Sequence, residues 1–70
     1  MISMYISTST IKRILKEAGA ERVSNDAIMI FHENINKFAY KVATRSVKFA
    51  KHAKRKTVDS SDIRLAMTFD

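Results

Sequence analysis

The order of apolar and polar residues along the chain predicts three helices, and the first of them is short and amphipathic. Its apolar positions recur every three to four residues: Ile11, Ile14, Leu15 and Ala18. Basic and acidic residues cover the opposite side, as expected for a helix with one buried face. Ser7 or Ser9 can cap the start of this helix, and Gly19 is suited to the left-handed turn that ends many helices.

The second predicted helix is long and runs from about residue 25 to residue 53. Ser24 can cap its start, and Asp26 places a negative charge near the positive end of the helix dipole. No glycine or proline follows to interrupt it. Its apolar positions form one wide stripe: Ile28, Phe31, Ile35, Phe38, Ala39, Val42, Ala43, Val47, Phe49, Ala50 and Ala53.

The length of this helix predicts a dimer. At a rise of about 1.5 Å per residue it would extend about 43 Å. A compact chain of 70 residues has a diameter of only about 28 Å. The chain therefore cannot cover the whole apolar stripe by itself, and a second copy related by a twofold axis is the simplest partner for the remainder.

A third, short helix is predicted near the end of the chain. Asp59 and Asp62 have the spacing of a capping box, with Asp62 in place of the usual Glu or Gln. The apolar positions of this helix are Ile63, Ala66 and Met67. Because the chain shows neither an internal repeat nor a linker, the pattern predicts a single all-α domain over residues 1–70.

The charge of the chain points to a polyanionic partner. It has thirteen Lys and Arg residues against seven Asp and Glu residues, and its isoelectric point is about 10.0. Between Asn34 and Val58 there are eight basic residues and no acidic one: Lys37, Lys41, Arg45, Lys48, Lys51, Lys54, Arg55 and Lys56. Such a stretch repels itself unless a partner neutralises it, although charge alone does not identify the polyanion.

Composition also indicates how the chain is stabilised and where it works. It has no cysteine, so oligomerisation rather than a disulfide or a thiolate metal site is the expected support for so small a fold. The longest unbroken apolar run, Ala27–Phe31, is far too short to cross a bilayer. The N-terminus lacks a charged segment followed by an apolar core. We therefore expect a soluble protein inside the cell.

Two strings at the junctions of the predicted helices, together with a third string that follows them, closely resemble the archaeal histones. They are Ala18-Gly-Ala-Glu-Arg-Val-Ser24, His52-Ala-Lys-Arg-Lys-Thr-Val58 and Asp62-Ile-Arg-Leu-Ala66. The similarity covers residues 11 to 67, and the strings stand at the separation that the family shows. The resemblance implies an all-α histone fold with short, long and short helices, paired as a handshake dimer in which the long helices cross.

The same resemblance implies how the dimer binds double-stranded DNA. Arg22 would enter the minor groove, held in place by Thr57 of the other protomer, and Lys56 would contact a phosphate beside it. Arg13 and Lys16, on the polar face of the first helix, would contact phosphates near the centre of the dimer. Histones wrap DNA with minor-groove arginines and no base-specific contacts, so we expect bending, wrapping and compaction that do not depend on sequence.

Further residues are implicated in assembly by the resemblance. Arg55 and Asp62 match an ion pair within the chain that joins the second connection to the third helix. Three residues match positions where dimers meet in tetramers or longer superhelices: Phe49, His52 and Asp62. Contacts between stacked layers of such a superhelix would involve Gly19, Glu33, Lys37 and Arg64. The sequence departs from the family pattern at its ends, where Met1 to Ile6 is unusually apolar and Asp70 closes the chain without a basic segment.

Other interpretations of the same residues are weaker. A zinc-binding helix beginning at His32 would need a second histidine at position 36, where the chain has Asn36. No nucleophile with a base, paired carboxylates or glycine-rich phosphate loop stands out, so we expect neither an enzyme nor a cofactor, metal or small-molecule substrate. Basic residues along the long helix are more typical of a solvated face: Lys41, Lys48 and Lys51. The phenylalanines at heptad-like spacing, Phe31, Phe38 and Phe49, indicate a core or dimer seam rather than base stacking.

Two other classes of protein stay open at this point. The first is a histone-fold component that pairs with an unlike partner inside a transcription or chromosome complex, which reuses the handshake without wrapping DNA. The second is a basic amphipathic peptide that folds only on a membrane surface. The leading hypothesis is a homodimeric chromatin protein in the cytoplasm, associated with the nucleoid and not with a membrane.

Overall fold

The computed structural model describes residues 5–68, and these residues form three α-helices and no strand. Helix α1 spans Thr8–Glu17, α2 spans Asn25–His52 and α3 spans Ser60–Met67. The first connection is residues 18–24, and the second connection is residues 53–59. The predicted order of short, long and short helices is confirmed. The apolar N-terminal residues 1–4 and the last two residues lie outside the described range.

Helix α1 begins and ends at residues that the sequence marks for these roles. Ser7, rather than Ser9, is the N-cap, and its Oγ accepts a hydrogen bond from the backbone N–H of Thr10 at 3.2 Å. At the other end the N–H of Ala20 donates to the carbonyl of Leu15. Gly19 lies at φ 115°, a conformation that L side chains rarely adopt, so glycine is the residue that this turn requires.

Helix α2 starts and stops within one residue of its predicted bounds. Ser24 Oγ accepts from the backbone N–H of Ala27 at 3.1 Å, which satisfies one of the free donors of the first turn. At the C-terminus the N–H of Lys54 donates to Lys51 and that of Arg55 donates to Ala50, both at 2.9 Å. This pair of bonds is a Schellman motif, and it turns the chain out of the helix.

Helix α3 opens with the predicted capping box. The Asp59 carboxylate accepts from the backbone N–H groups of Ser61 and Asp62, and the Asp62 carboxylate accepts in return from the N–H of Asp59 at 2.9 Å. These reciprocal bonds satisfy donors that would otherwise stay unpaired at the helix start. They also fix the backbone that follows the second connection.

The described chain divides into two compact units after Lys37, and α2 contributes to both of them. In the first unit Ile11 of α1 and Ile28 of α2 are buried. Asn36 is fully buried as well, and its Oδ1 accepts from the backbone N–H groups of Tyr5 and Ile6 at 2.9 and 2.8 Å. One amide therefore holds the segment before α1 against the long helix.

The second unit contains the end of α2, the second connection and α3. Ala50 and Ala66 supply its buried apolar side chains, together with the polar residues Ser46 and Asp62. Ser46 Oγ donates to the Val42 carbonyl one turn earlier at 2.7 Å, so its burial leaves no unpaired hydroxyl. Small side chains thus dominate the buried positions of this unit.

The buried apolar core of the single chain is small. Among the described residues only four apolar side chains are buried: Ile11, Ile28, Ala50 and Ala66. Large apolar side chains that stay exposed are more numerous: Tyr5, Ile14, Met29, Ile30, Phe38, Tyr40, Val47, Val58, Ile63, Leu65 and Met67. Five of these eleven lie on α2. Of the predicted stripe, Phe38 and Val47 are among these exposed side chains, and Ala39, Ala43 and Ala53 are exposed too, so the single chain leaves part of the stripe uncovered.

Candidate nucleic-acid interface

The first connection presents Arg22 to solvent. Its side chain is exposed, and it forms no hydrogen bond or ion pair with any other described residue. The connection is tied to the end of α1 because Lys16 Nζ donates to the carbonyl of Glu21 at 2.6 Å. A carbonyl orients the ammonium without neutralising it, so both cations keep their full charge for a ligand.

The second connection presents Lys56 and Thr57 in a similar way. Both residues are exposed, and within the described chain neither side chain makes a hydrogen bond or ion pair. The backbone beneath them is held by Arg55, whose Nη1 donates to the Thr57 carbonyl at 3.1 Å. Arg55 thus fixes the backbone of the connection, and the ammonium group of Lys56 stays free to bind a ligand.

Arg55 and Asp62 form a bidentate ion pair that joins the second connection to α3. Arg55 Nη1 donates to Asp62 Oδ2 and Nη2 donates to Oδ1, both at 2.8 Å, in a bidentate geometry. The Asp62 side chain is only 4% exposed. The Arg55 hydrogen bonds and the N–H of Asp59 hold the pKa of Asp62 well below its usual range, because they favour the ionised carboxylate.

The same contacts shift the pKa values of Arg55 and Asp59. The hydrogen bond to Asp62 raises the pKa of Arg55. Hydrogen bonds from Ser61 and from the N–H of Asp62 lower the pKa of Asp59, which also lies 3.3 Å from Arg55. All three groups stay ionised at neutral pH. The Arg55 guanidinium therefore has a structural role and is not available to a ligand.

Arg13 stands on the exposed face of α1 with a partner of its own. Its Nε lies 2.7 Å from Glu17 Oε2, with the two side chains 80% and 66% exposed. An exposed pair of this kind contributes about 0–1 kcal/mol, so a phosphate can replace the carboxylate at small cost. Arg13 is available to an anion, but in competition with Glu17.

The residues expected between dimers are spread over the second unit. Phe49 is half-buried and His52 is exposed at the last position of α2. Asp62 is buried, and its two oxygens already accept from three donors on Arg55 and Asp59. A carboxylate offers about four acceptor positions, so the described contacts leave one of them unused, and the role of Asp62 between dimers stays a prediction.

The four residues expected between stacked layers are all exposed. Lys37 Nζ lies 3.5 Å from Glu33 Oε1, one turn apart on α2, so these two charges partly neutralise each other. Arg64 has no ion pair with the rest of the described chain. A Cβ added at Gly19 would meet nothing within 4 Å, so there is open space beside this turn in the single chain. The stacking roles of all four residues stay predictions.

Two residues that the structure makes conspicuous are not identified by the sequence pattern. In the sequence, Asn36 is noted only because a zinc-binding helix would have histidine at that position. It lies four residues after His32 on the buried face of α2, and a buried polar side chain of this kind normally has hydrogen-bond partners. Lys54 enters only as one base among eight, but it is the one non-glycine residue with positive φ in the described range. Its signal is its place directly after the last turn of the long helix.

Two other classes of site lack support in residues 5–68. These residues contain no group of three or more His, Cys, Asp or Glu side chains that could hold a metal ion. None of their helices combines the length and the apolar character needed to cross a membrane.

The arrangement of the helices defines the class of protein. A long helix between two short ones, with basic residues in both connections, is the element order of the histone fold. A family model described as histone-like transcription factor (CBF/NF-Y) and archaeal histone matches residues 4–67. The match includes all three helices and both connections.

Two curated relatives support the same classification. A subunit of the archaeal histone HAN1 of Thermococcus zilligii is 46% identical over 57 residues, which cover 81% of this chain and 85% of the relative. Probable archaeal histone 3 of Methanocaldococcus jannaschii is 51% identical over 55 residues, or 79% and 82% of the two chains. The chain therefore belongs to the family of histone-like transcription factors and archaeal histones.

Proposed function

We propose that this chain is a chromatin protein that forms a homodimer and binds duplex DNA through the phosphate backbone without reading its sequence. The main support is that this member of the histone family has an exposed cation in each connection, Arg22 in the first and Lys56 in the second. Neither side chain is paired within the described chain. Contacts to phosphate fix a protein on the duplex but carry no sequence information. We therefore expect binding to duplexes of any sequence, and not the chemistry of an enzyme.

The apolar surface of the single chain supports the homodimer. Four buried apolar residues are a small core, and chains of this size are marginally stable by themselves. Phe38 is 43% exposed on α2, and Phe31 and Phe49 of the same predicted stripe are half-buried. A second copy that crosses α2 in the handshake typical of the family would remove these side chains from water.

The proposed dimer would complete the DNA grip at each of its two ends. There the first connection of one protomer lies beside the second connection of its partner, which brings Arg22 to Thr57. The Thr57 hydroxyl is free among the described residues and can orient a guanidinium that enters the minor groove. Lys56 would contact the adjacent phosphate. Arg55 would not compete for this phosphate, since its guanidinium is directed to Asp62.

A third contact region would lie at the middle of the dimer, where the two α1 helices meet the same duplex. Arg13 and Lys16 of both protomers would bind phosphates there. Histone octamers wrap DNA by repeated minor-groove arginine and phosphate contacts, and three such regions along one duplex would bend it in the same way. We therefore propose bending and wrapping rather than contact at a single point, with compaction as the result.

Salt dependence of DNA binding tests the phosphate contacts. The logarithm of the binding constant should fall linearly with the logarithm of salt concentration, with a slope of about −0.9 per neutralised phosphate. In Lys56→Ala the slope should weaken by about 1.8 per dimer, one contact for each protomer, on two duplexes of unrelated sequence alike. Lys48→Ala, an exposed lysine on α2, is the matched control. An unchanged slope in Lys56→Ala would show that Lys56 does not contact a phosphate.

Dimers would join through Phe49, His52 and the remaining acceptor position of Asp62. A histidine of one dimer would donate to the aspartate of the next, which builds tetramers or longer assemblies on DNA. His52→Ala should shorten these assemblies without changing the affinity of a single dimer. Sedimentation of complexes on a long duplex separates the two effects, and unchanged complex size would remove His52 from this contact.

A histone-fold component with an unlike partner is the second candidate function. Two observations favour it: the matching family includes histone-like transcription factors, and the name of one relative designates that protein as one subunit of a histone. Sedimentation equilibrium of the purified chain discriminates between the candidates. A folded homodimer supports the chromatin protein, whereas a chain that folds only after another protein is added supports the heterodimer.

The proposed function implies a location. A protein that binds DNA regardless of sequence distributes along the chromosome in proportion to accessible sites. We therefore propose that the chain is associated with the nucleoid in the cytoplasm.

A further inference from the structure

Lys54 adopts a backbone conformation that its residue type disfavours. Its φ is +59°, and no other non-glycine residue of the described chain has a positive φ. For an L residue with a side chain this left-handed region costs free energy, because Cβ approaches the following carbonyl oxygen. A residue kept in such a conformation indicates a role that a less strained residue would not fill.

The position of Lys54 is one where glycine would normally stand. The N–H of Lys54 donates to Lys51 and that of Arg55 donates to Ala50, so Lys54 is the left-handed residue of a Schellman motif. Helix α1 ends in the same motif with Gly19 at the equivalent position. The two turns share the same hydrogen bonds but differ in backbone conformation, with Gly19 at φ 115° and Lys54 at φ 59°. Glycine would fit the turn at position 54 too, but the chain has lysine there.

Local contacts do not account for this lysine. Its side chain is exposed, and it forms no hydrogen bond or ion pair with the other described residues. A cation does interact favourably with the C-terminus of a helix, but Lys51 and His52 already occupy the last turn of α2. The fold itself therefore gains little from the charge at position 54.

The neighbouring charges show what Lys54 can offer to a ligand. It is the first of three consecutive basic residues in the second connection, Lys54, Arg55 and Lys56. The middle one is neutralised by Asp59 and Asp62, while the outer two keep their charge. Two free ammonium groups thus flank a cation that holds the backbone in place.

We propose that Lys54 is a further phosphate-binding residue of the second connection, and that its charge is retained at the cost of backbone strain. Its ligand is the phosphate backbone of the duplex that Lys56 contacts, so the inference rests on the proposed function. The turn at Lys54 changes the direction of the chain at the end of α2. Lys54 and Lys56, whose ammonium groups are both free within the described chain, therefore lie in the same connection.

The substitution Lys54→Gly tests this role because it moves stability and binding in opposite directions. Glycine removes the strain, so the midpoint of denaturant unfolding should rise. The loss of one ammonium per protomer should weaken the salt slope of DNA binding by about 1.8 per dimer. Lys54→Asn, which tolerates the left-handed region, should weaken the slope equally, and Lys54→Arg should preserve it.

Two controls decide among the outcomes. Lys51→Ala removes an exposed cation one turn earlier on α2, and an equal loss of slope there and in Lys54→Gly would overturn the inference, because net charge alone would explain both. A slope in Lys54→Gly that equals the wild-type slope would overturn it too. If Lys56→Ala weakens the slope in the same titrations, only the role of Lys54 fails. If the wild-type chain binds without salt dependence, the proposed function fails first.

Discussion

At the scale of single residues, Asp62 performs two structural tasks with one carboxylate. It accepts hydrogen bonds from Nη1 and Nη2 of Arg55 and from the N–H of Asp59, so it fixes the second connection and the start of α3 together. Its low pKa follows from these bonds. The positions of Lys56 and Thr57 depend on a backbone that this cluster holds.

The low pKa of Asp62 makes the free energy of unfolding depend on pH. A carboxylate whose pKa is lower in the folded state stabilises the fold above its unfolded pKa of about 3.9, and the contribution is lost as pH falls toward the folded value. We expect Asp62→Asn to lower the free energy of unfolding at pH 7, and the deficit to narrow below about pH 4. Denaturant unfolding at pH 7 and pH 3 measures both quantities. A deficit of the same size at both pH values would contradict the role of the ionised carboxylate.

Glu17 is expected to weaken DNA binding by competing for Arg13. Glu17→Gln removes the negative charge 2.7 Å from Arg13 Nε and should raise DNA affinity by up to about fivefold, which corresponds to about 1 kcal/mol. Fluorescence anisotropy with a labelled duplex measures the change. Glu33→Gln, which removes the partner of Lys37 in an equivalent exposed pair, is the control. Equal gains in the two variants would show that net charge, and not Arg13, sets the affinity.

At the scale of helices, the connection between α2 and the segment before α1 depends on Asn36. Asn36→Ala would leave the N–H groups of Tyr5 and Ile6 without their acceptor and should lower the free energy of unfolding by about 1–3 kcal/mol. Asn34→Ala is the matched control, since Asn34 is exposed and donates only to Ile30 of its own helix. Denaturant unfolding measures both variants. Similar losses in the two would contradict a special role for Asn36.

Sequence alone predicted the helices because their determinants are local. Ser7, Ser24 and the pair Asp59 and Asp62 bond to backbone groups within three residues, so short strings specify where each helix begins. Gly19 likewise marks the end of α1 by its own backbone freedom. These signals need no knowledge of the rest of the fold.

The features that sequence did not predict depend on distant or strained residues. The partners of Asn36 stand 30 and 31 residues away, and no local pattern identifies them. Lys54 adopts a conformation against the preference of its type, so propensity points to glycine instead. For the DNA grip the strings around Arg22 and Lys56 named the residues, whereas the competition between Glu17 and Arg13 became clear only from their distance.

At the scale of the whole molecule, stability should depend on concentration. Because the described chain buries only four apolar side chains, we expect folding to be coupled to dimerisation. The midpoint of thermal unfolding should then rise with chain concentration, each tenfold increase favouring the dimer by about 1.4 kcal/mol. Scanning calorimetry over a hundredfold range of concentration measures the shift. A constant midpoint would indicate a monomer that is stable by itself.

Nuclease digestion of complexes between the purified chain and long duplex DNA tests whether the chain wraps DNA as a homodimeric chromatin protein. We expect protected fragments whose sequences are unrelated and whose lengths are defined by the protein. A ladder of regular lengths would correspond to wrapped assemblies that grow by adding dimers, and one short length to an isolated dimer or tetramer. Digestion to completion, as for DNA without protein, would contradict a chromatin protein that binds as a homodimer.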